Sequence, residues 1–170
     1  MNNRSTPAIS FVAKSGSGKT TLLEKVIAKL KTENIKLAVI KHDAHQFEID
    51  KPGKDSWKLA QAGADIVAIS SPAKVAVIEK IADEKNLDEI IAMLSPVDLI
   101  LTEGYKSGDK PKIEVFRSDA HKALLCSASE LIAIASDVKW DIGVPCYDLN
   151  DIEGIVQEVL CYMKKSVMSR

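Results

Sequence analysis

A short apolar run that leads straight into a lysine- and glycine-rich loop constrains this chain more than any other feature. Residues 8–13 (AISFVA) are apolar enough for a buried strand, and the loop AKSGSGKT occupies residues 13–20. Apolar residues then recur at spacings of three and four, which predicts an amphipathic helix over residues 20–31. Strand, loop and helix in this order form the context in which a phosphate-binding loop works.

The loop itself matches the pattern G-x4-G-K-S/T, except that Ala13 stands at the first glycine. Its glycines allow backbone N–H groups to approach phosphate oxygens closely. Lys19 is predicted to bind the β- and γ-phosphates and Thr20 to offer its hydroxyl to Mg²⁺, with the helix N-terminus facing the phosphates. The predicted nucleotide-binding residues are Lys14, Ser15, Gly16, Ser17, Gly18, Lys19, Thr20 and Thr21.

A carboxylate at the end of a neighbouring strand is the second part that such a site needs. The apolar residues 97–101 predict a strand, and Glu103 follows it directly before Gly104. Ligands of open α/β sheets bind at the carboxyl ends of the strands. Glu103 is therefore the predicted Mg²⁺ ligand and, with Lys19, the predicted catalytic pair; the alternative is a surface glutamate after a strand. Asp98 begins the same strand and is expected at the opposite edge.

Apolar runs alternate with helical patterns along the remaining chain, which predicts a mostly parallel sheet covered on both faces. We therefore predict an α/β fold, a P-loop NTPase three-layer sandwich, as a single domain over residues 1–170. Residues 66–78 are expected to form an antiparallel hairpin, which would make the sheet mixed. The predicted strands span residues 8–13, 37–40, 66–69, 74–78, 97–101, 113–116, 131–135 and 144–147, and the helices residues 20–31, 55–61, 87–94 and 151–165.

The composition excludes several classes of function. Lys and Arg number 23 against 24 Asp and Glu, and aromatic residues are 5%, which argues against a nucleic-acid binder. No apolar run approaches the roughly 18 residues that a membrane span needs. Cys126, Cys146 and Cys161 are far apart, which favours free thiols in a reducing cytoplasm.

Several segments together resemble one known family. Besides the loop, they are IKH at 40–42, FEIDKPGKDS at 47–56, QAGA at 61–64, LILTEGYK at 99–106 and PKIEVFR at 111–117. Over residues 9–137 the chain resembles the MobB family of molybdopterin-guanine dinucleotide biosynthesis adapter proteins. The resemblance implies a homodimer that binds GTP with Mg²⁺ and hydrolyses it slowly. It also implies that the protein assists the molybdopterin guanylyltransferase, with molybdopterin as a further candidate ligand.

Lys14 is a second lysine inside the loop. The loop resembles those in which a lysine at this position reaches across a dimer to the partner's nucleotide; the alternative is a solvated lysine that adds positive potential. The chain has three arginines, Arg4, Arg117 and Arg170, of which the first and last lie near its ends. We therefore expect no well-placed arginine in the chain's own site, and slow turnover as the consequence.

The base-reading residue is less clearly marked than the phosphate site. The string Asn/Thr-Lys-x-Asp that reads guanine is absent, and Asp137 after the apolar run 131–134 is the candidate. The alternative is a turn aspartate, so the preference for GTP over ATP follows mainly from the resemblance.

Two further segments carry open hypotheses. Lys51 and Lys54 are candidates for closing over phosphates or for binding a pterin phosphate, unless their loop is a solvated turn. His42 and His45 are a weak candidate metal pair.

Three functions are compatible with these sequence features. The favoured one is a GTP-binding adapter with slow hydrolysis in the cytoplasm. An ATP-dependent small-molecule kinase acting on a pterin-like substrate is the alternative, although such kinases normally carry an arginine-bearing lid. The third is a structural partner in which nucleotide sets only the dimer state.

Overall fold

The computed structural model describes residues 6–43 and 47–168. In chain order its strands are β1 (Ala8–Val12), β2 (Leu37–Lys41), β3 (Ile66–Ser71), β4 (Lys74–Glu79), β5 (Leu99–Glu103), β6 (Lys112–Phe116), β7 (Leu131–Ser136) and β8 (Cys146–Asp148). Its α-helices are α1 (Lys19–Thr32), α2 (Asp55–Gln61), α3 (Leu87–Met93) and α4 (Ile152–Met168), and a 3₁₀ turn spans Ala128–Glu130.

Six of the described strands form one parallel sheet in the order β2-β5-β1-β6-β7-β8. The first strand therefore lies in the middle, with β5 on one side and β6 on the other. Because the strands are parallel, the residues that follow them all leave at one edge of the sheet. The loop after β1 thus has the ends of β5 and β6 as its two neighbours.

The core lies on both faces of this sheet. Successive strand residues point to opposite sides, so Ile9 and Phe11 belong to the face that packs against α1 and α4. On the other face, Ala8 and Ile100 pack with Ile91 of α3. Helices cover both faces, which confirms the predicted three-layer α/β sandwich.

The described residues divide into two compact units. One contains the residues up to His42 and those from Leu87 on, and it holds the six-stranded sheet. The other, between Asp43 and Asn86, contains α2 and the pair β3–β4. Two compact units can belong to one folding domain or to two. The single domain over residues 1–170 therefore stays a prediction.

The hairpin is antiparallel as predicted, with Ile66 opposite Glu79 and Ser71 opposite Lys74. It forms a two-stranded sheet of its own, so the expectation of one mixed sheet is wrong. The main sheet is parallel throughout the described residues.

The predicted element positions are confirmed within one to three residues, and the clearest shift is in β5. The sequence places this strand over residues 97–101, whereas the ladder runs from Leu99 to Glu103. The Asp98 carboxylate instead accepts a hydrogen bond from the backbone N–H of Lys36 at 2.8 Å, just before β2. Asp98 thus lies at the edge opposite the phosphate loop, as expected. Across the described part of the chain, we find no helix with the length and apolar character of a membrane span.

Candidate functional site

The loop between β1 and α1 has the backbone conformation that its glycines permit. Gly16 and Gly18 lie in the left-handed region, with φ of 81° and 80°. The buried Ser17 hydroxyl donates a hydrogen bond to the Lys14 carbonyl oxygen at 3.0 Å and so closes the loop. No side chain caps the N-terminus of α1, which begins at Lys19. The first-turn N–H groups of α1 are therefore available to an anion.

Glu103, the predicted magnesium ligand, lies at the end of β5 beside the phosphate loop. Its Oε1 accepts a hydrogen bond from the Lys19 Nζ at 2.5 Å and one from the Thr20 hydroxyl at 2.9 Å. The register explains this contact, because Phe11 near the end of β1 pairs with Glu103 at the end of β5. The three predicted side chains therefore meet within hydrogen-bonding distance.

These surroundings hold Glu103 in its charged form. Burial raises the pKa of its carboxyl, but the hydrogen bonds from Lys19 and Thr20 and the charges of Lys19 and Lys41 outweigh burial. The net pKa is below the ordinary value of 4.5. A carboxylate and a hydroxyl oxygen side by side are the hard oxygen donors that Mg²⁺ prefers, so these residues fit that ion.

The end of β2 adds a structural support to Glu103. The His42 backbone N–H donates to the Glu103 carbonyl oxygen at 2.9 Å, and the His42 ring lies 4.9 Å from the Tyr105 ring between centroids. Gly104 has φ of 104°, and a Cβ on it would lie 3.2 Å from the His42 Cβ. A glycine is therefore required beside Glu103. His45 lies outside the described residues, so the His42–His45 metal pair stays a prediction.

The end of β6 brings an arginine to the opposite side of the loop. The Nη2 of Arg117 lies 3.5 Å from the position that a Cβ on Gly18 would occupy. Four residues later, the His121 Nε2 lies 3.1 Å from the Ser15 carbonyl oxygen. Arg117 therefore lies beside the loop, whereas the expected absence of an arginine placed for catalysis stays a prediction. The sequence signal that could have found Arg117 is its position directly after an apolar strand, which places it at the ligand edge of the sheet.

Asp137 follows β7 at the same edge and holds the segment after β6. Its Oδ1 accepts a hydrogen bond from the Ser118 backbone N–H at 2.9 Å, and its Oδ2 accepts from the Ser118 hydroxyl at 2.9 Å. The backbone hydrogen bond from Ser118 lowers the pKa of the Asp137 carboxyl, with the Ser118 hydroxyl and the charge of Arg117 contributing. Both oxygens already accept a hydrogen bond from Ser118, and base reading by Asp137 stays a prediction.

A cavity of about 280 Å³ opens beside this segment. Phe116 and Trp140 supply aromatic surface to it, and their rings pack edge to face with centroids 4.9 Å apart. The buried Trp140 Nε1–H has no hydrogen-bond acceptor in the structure. Ser118, His121, Lys122, Val138 and Lys139 complete the wall.

The remaining predicted residues occupy less constrained positions. Ser15 and Thr21 are exposed, and Lys14 is half-buried in the loop. Lys51 and Lys54 are exposed in the other compact unit. The Asp50 Oδ1 in that unit accepts hydrogen bonds from the Lys51 backbone N–H and the Ser56 hydroxyl. These two bonds order the loop between residues 50 and 56.

Comparison with known proteins agrees with this geometry. The family model of MobB, molybdopterin guanine dinucleotide synthesis protein B, matches residues 8–137. The chain belongs to the MobB family. A molybdopterin-guanine dinucleotide biosynthesis adapter protein of Escherichia coli K12 is 41% identical over 165 residues, covering 94% of each chain.

Other members of the family are similar over nearly the whole chain. The adapter protein of Haemophilus influenzae is 35% identical, covering 91% of this chain and 88% of the relative. The crystal structure of Bacillus subtilis MobB superimposes with a TM-score of 0.71 at 27% identity, covering 92% of this chain and 97% of that one. A crystal structure of a molybdopterin-guanine biosynthesis protein B gives a TM-score of 0.69 at 28% identity, covering 91% and 98%.

Proposed function

We propose that this protein is a GTP-binding adapter with slow GTPase activity that assists the guanylyltransferase of molybdopterin guanine dinucleotide biosynthesis. Membership of the MobB family makes it an adapter protein of that biosynthesis. The observation that carries the nucleotide part is the convergence of Lys19, Thr20 and Glu103 beside an uncapped helix N-terminus. No observation favours the kinase alternative.

The phosphate chain of GTP would lie along the loop from Lys14 to Thr21. Lys19 would leave Glu103 and bind the β- and γ-phosphates, and the first turn of α1 would face the same charge. Thr20 and Glu103 would then hold Mg²⁺, whose other ligands are phosphate oxygens and water. When bound, the ion neutralises charge that develops on the phosphates during hydrolysis.

The cavity beside Trp140 is our proposed site for the base. It lies at the ligand edge of the sheet, where Phe116 and Trp140 offer aromatic surface to a planar base. Asp137, beside the cavity wall, would read the guanine N1–H with lone pairs that Ser118 leaves available.

A homodimer is the oligomeric state that we propose. Lys14 would then reach the partner's nucleotide, as in the loops that it resembles. The exposed apolar side chains of the hairpin support a second copy, with Ile66, Val75 and Val77 at 57%, 66% and 60% exposure.

The position in the cell and the molybdopterin ligand are also proposals. The three cysteines are free, as a reducing cytoplasm favours. Lys51 and Lys54 carry exposed charge that would suit a pterin phosphate.

The test compares GTP and ATP binding by calorimetry, in excess Mg²⁺ and in excess EDTA, with light scattering for mass. GTP turnover is then measured for the protein alone and with the purified guanylyltransferase. We expect Mg²⁺-dependent GTP binding, dimer mass and faster turnover in the complex. Equal affinity for ATP and GTP would contradict the base assignment, and a monomer without response to the transferase would contradict the dimer and the partner.

A further inference from the structure

The position of Arg117 follows from the pairing of β6 with β1. Val12, the last residue of β1, is level with Glu114 in the parallel register. Arg117 comes three residues later, and each strand residue advances about 3.3 Å. The strand thus carries Arg117 roughly 10 Å beyond the end of β1, to the height of the phosphate loop.

The guanidinium lies against the loop at Gly18, the residue directly before Lys19. Its Nη2 is 3.5 Å from the position of a Cβ on Gly18, and Arg117 is exposed. A phosphate on the loop would therefore displace water from the guanidinium instead of breaking a buried pair. Arginine is charged at every relevant pH and donates in a fork that matches phosphate oxygens.

Three sets of hydrogen bonds fix the backbone that carries this side chain. The N–H groups of Ala120 and His121 donate to the Arg117 carbonyl oxygen at 3.1 and 3.0 Å. Asp137 binds Ser118, the next residue. Further along, the buried Glu114 carboxylate accepts hydrogen bonds from the backbone N–H groups of residues 125 and 126 at 2.6 and 3.0 Å. The arginine is presented from an ordered turn, which lowers the entropic cost of binding.

Arg117 and Glu103 lie on opposite sides of the loop. Glu103 ends β5 and Arg117 follows β6, and β1 lies between these two strands. Glu103 with Thr20 marks the side of the magnesium ion and the γ-phosphate. The α- and β-phosphates would lie over the backbone N–H groups of the loop, on the side of Gly18.

We infer that Arg117 is a phosphate-binding residue that contacts the α- and β-phosphates of a nucleoside di- or triphosphate from within the same chain. This inference rests on the proposed nucleotide site and adds a further cationic side chain to it. Ser118 and Asp137 act as positioning residues, since they hold the turn without reaching the loop.

The test is the affinity for GDP and GTP of wild type, Arg117→Gln and Arg117→Lys, by calorimetry in excess Mg²⁺. Loss of a charge-assisted contact weakens binding by about 10- to 100-fold. Because both nucleotides carry the α- and β-phosphates, we expect Arg117→Gln to weaken GDP and GTP equally. Arg117→Lys keeps the charge without the fork and should recover part of the affinity.

The matched control is Lys36→Gln, which removes one exposed positive charge at the opposite edge of the sheet. It should leave both affinities unchanged, and melting temperatures report the stability of every variant. Unchanged GDP affinity in Arg117→Gln would overturn the inference, and a lowered melting temperature beside it would show that Arg117 only stabilises the fold. A loss for GTP alone would overturn the assignment to the α- and β-phosphates. Wild-type protein that binds neither nucleotide would instead refute the proposed function.

Discussion

The ion pair between Lys19 and Glu103 makes an unusual prediction, because the two residues must separate before they can serve a nucleotide. In the structure Lys19 donates to Glu103 at 2.5 Å, and Thr20 donates to the same oxygen. In the proposed function, nucleotide binding would transfer Lys19 to the phosphates, and Mg²⁺ would then neutralise the carboxylate left behind. Without Mg²⁺, the carboxylate would face the phosphates uncompensated. Glu103→Gln should therefore strengthen GTP binding in EDTA and weaken the effect of Mg²⁺.

The size of the effect follows from the burial of the pair. The Lys19 and Glu103 side chains are 18% and 11% exposed, so solvent screens their interaction only in part. A hydrogen bond to a charged group contributes about 1.5–3 kcal/mol, which corresponds to roughly 10- to 100-fold in affinity. Because glutamine still accepts a hydrogen bond, we expect a gain in EDTA near the lower end, about 10-fold. The gain in GTP affinity that Mg²⁺ gives should fall by at least the same factor.

The assay is a GTP titration of wild type and Glu103→Gln in excess EDTA and in excess Mg²⁺. Glu33→Gln is the control, since Glu33 caps the far end of α1, roughly 20 Å along the helix from Lys19. Weaker binding of Glu103→Gln in EDTA, or an unchanged dependence on Mg²⁺, would refute this reasoning. Either result would make Glu103 a structural partner of Lys19.

Three further predictions concern single side chains. Lys19→Ala should cost about 2–4 kcal/mol of GTP binding while circular dichroism stays unchanged, and full affinity in the folded variant would contradict a phosphate role. The hydrogen bond from Lys112 lowers the pKa of Glu130 to about 2 from 4.5, so its stabilisation is complete above pH 4.5 and is lost as the pH falls towards 2. In urea melts at several pH values, the unfolding free energy of Glu130→Gln should fall less than that of wild type over this range; parallel curves would contradict the pairing. Leu101 of β5 is fully buried, so Leu101→Ala should lower the unfolding free energy by about 2–5 kcal/mol in the same melts, and a loss below about 1 kcal/mol would show that β5 is loosely packed.

Local patterns were enough to predict most elements and, of the candidate site, the phosphate loop and Glu103. The loop from Ala13 to Thr20 is identified by glycine spacing and by its position between a strand and a helix, and both signals act within 25 residues. The hairpin over 66–78 follows from two apolar runs around Ser70-Ser71-Pro72. Glu103 is found in the same way, as a carboxylate after an apolar run. These features depend on neighbours in the sequence, and periodicity therefore reveals them.

Local patterns do not predict the order of the strands, because this order arises from pairing between residues far apart in the chain. Glu103 reaches Lys19, 84 positions earlier, only because β5 packs beside β1. Arg117 reaches Gly18 because β6 takes the other side, a placement that the count of arginines along the chain did not predict. Long-range pairing is decided by how whole apolar faces fit together around one core, and no local pattern records that choice. The sequence therefore determined the phosphate loop and the elements around it, and the tertiary structure decided which charges surround the loop.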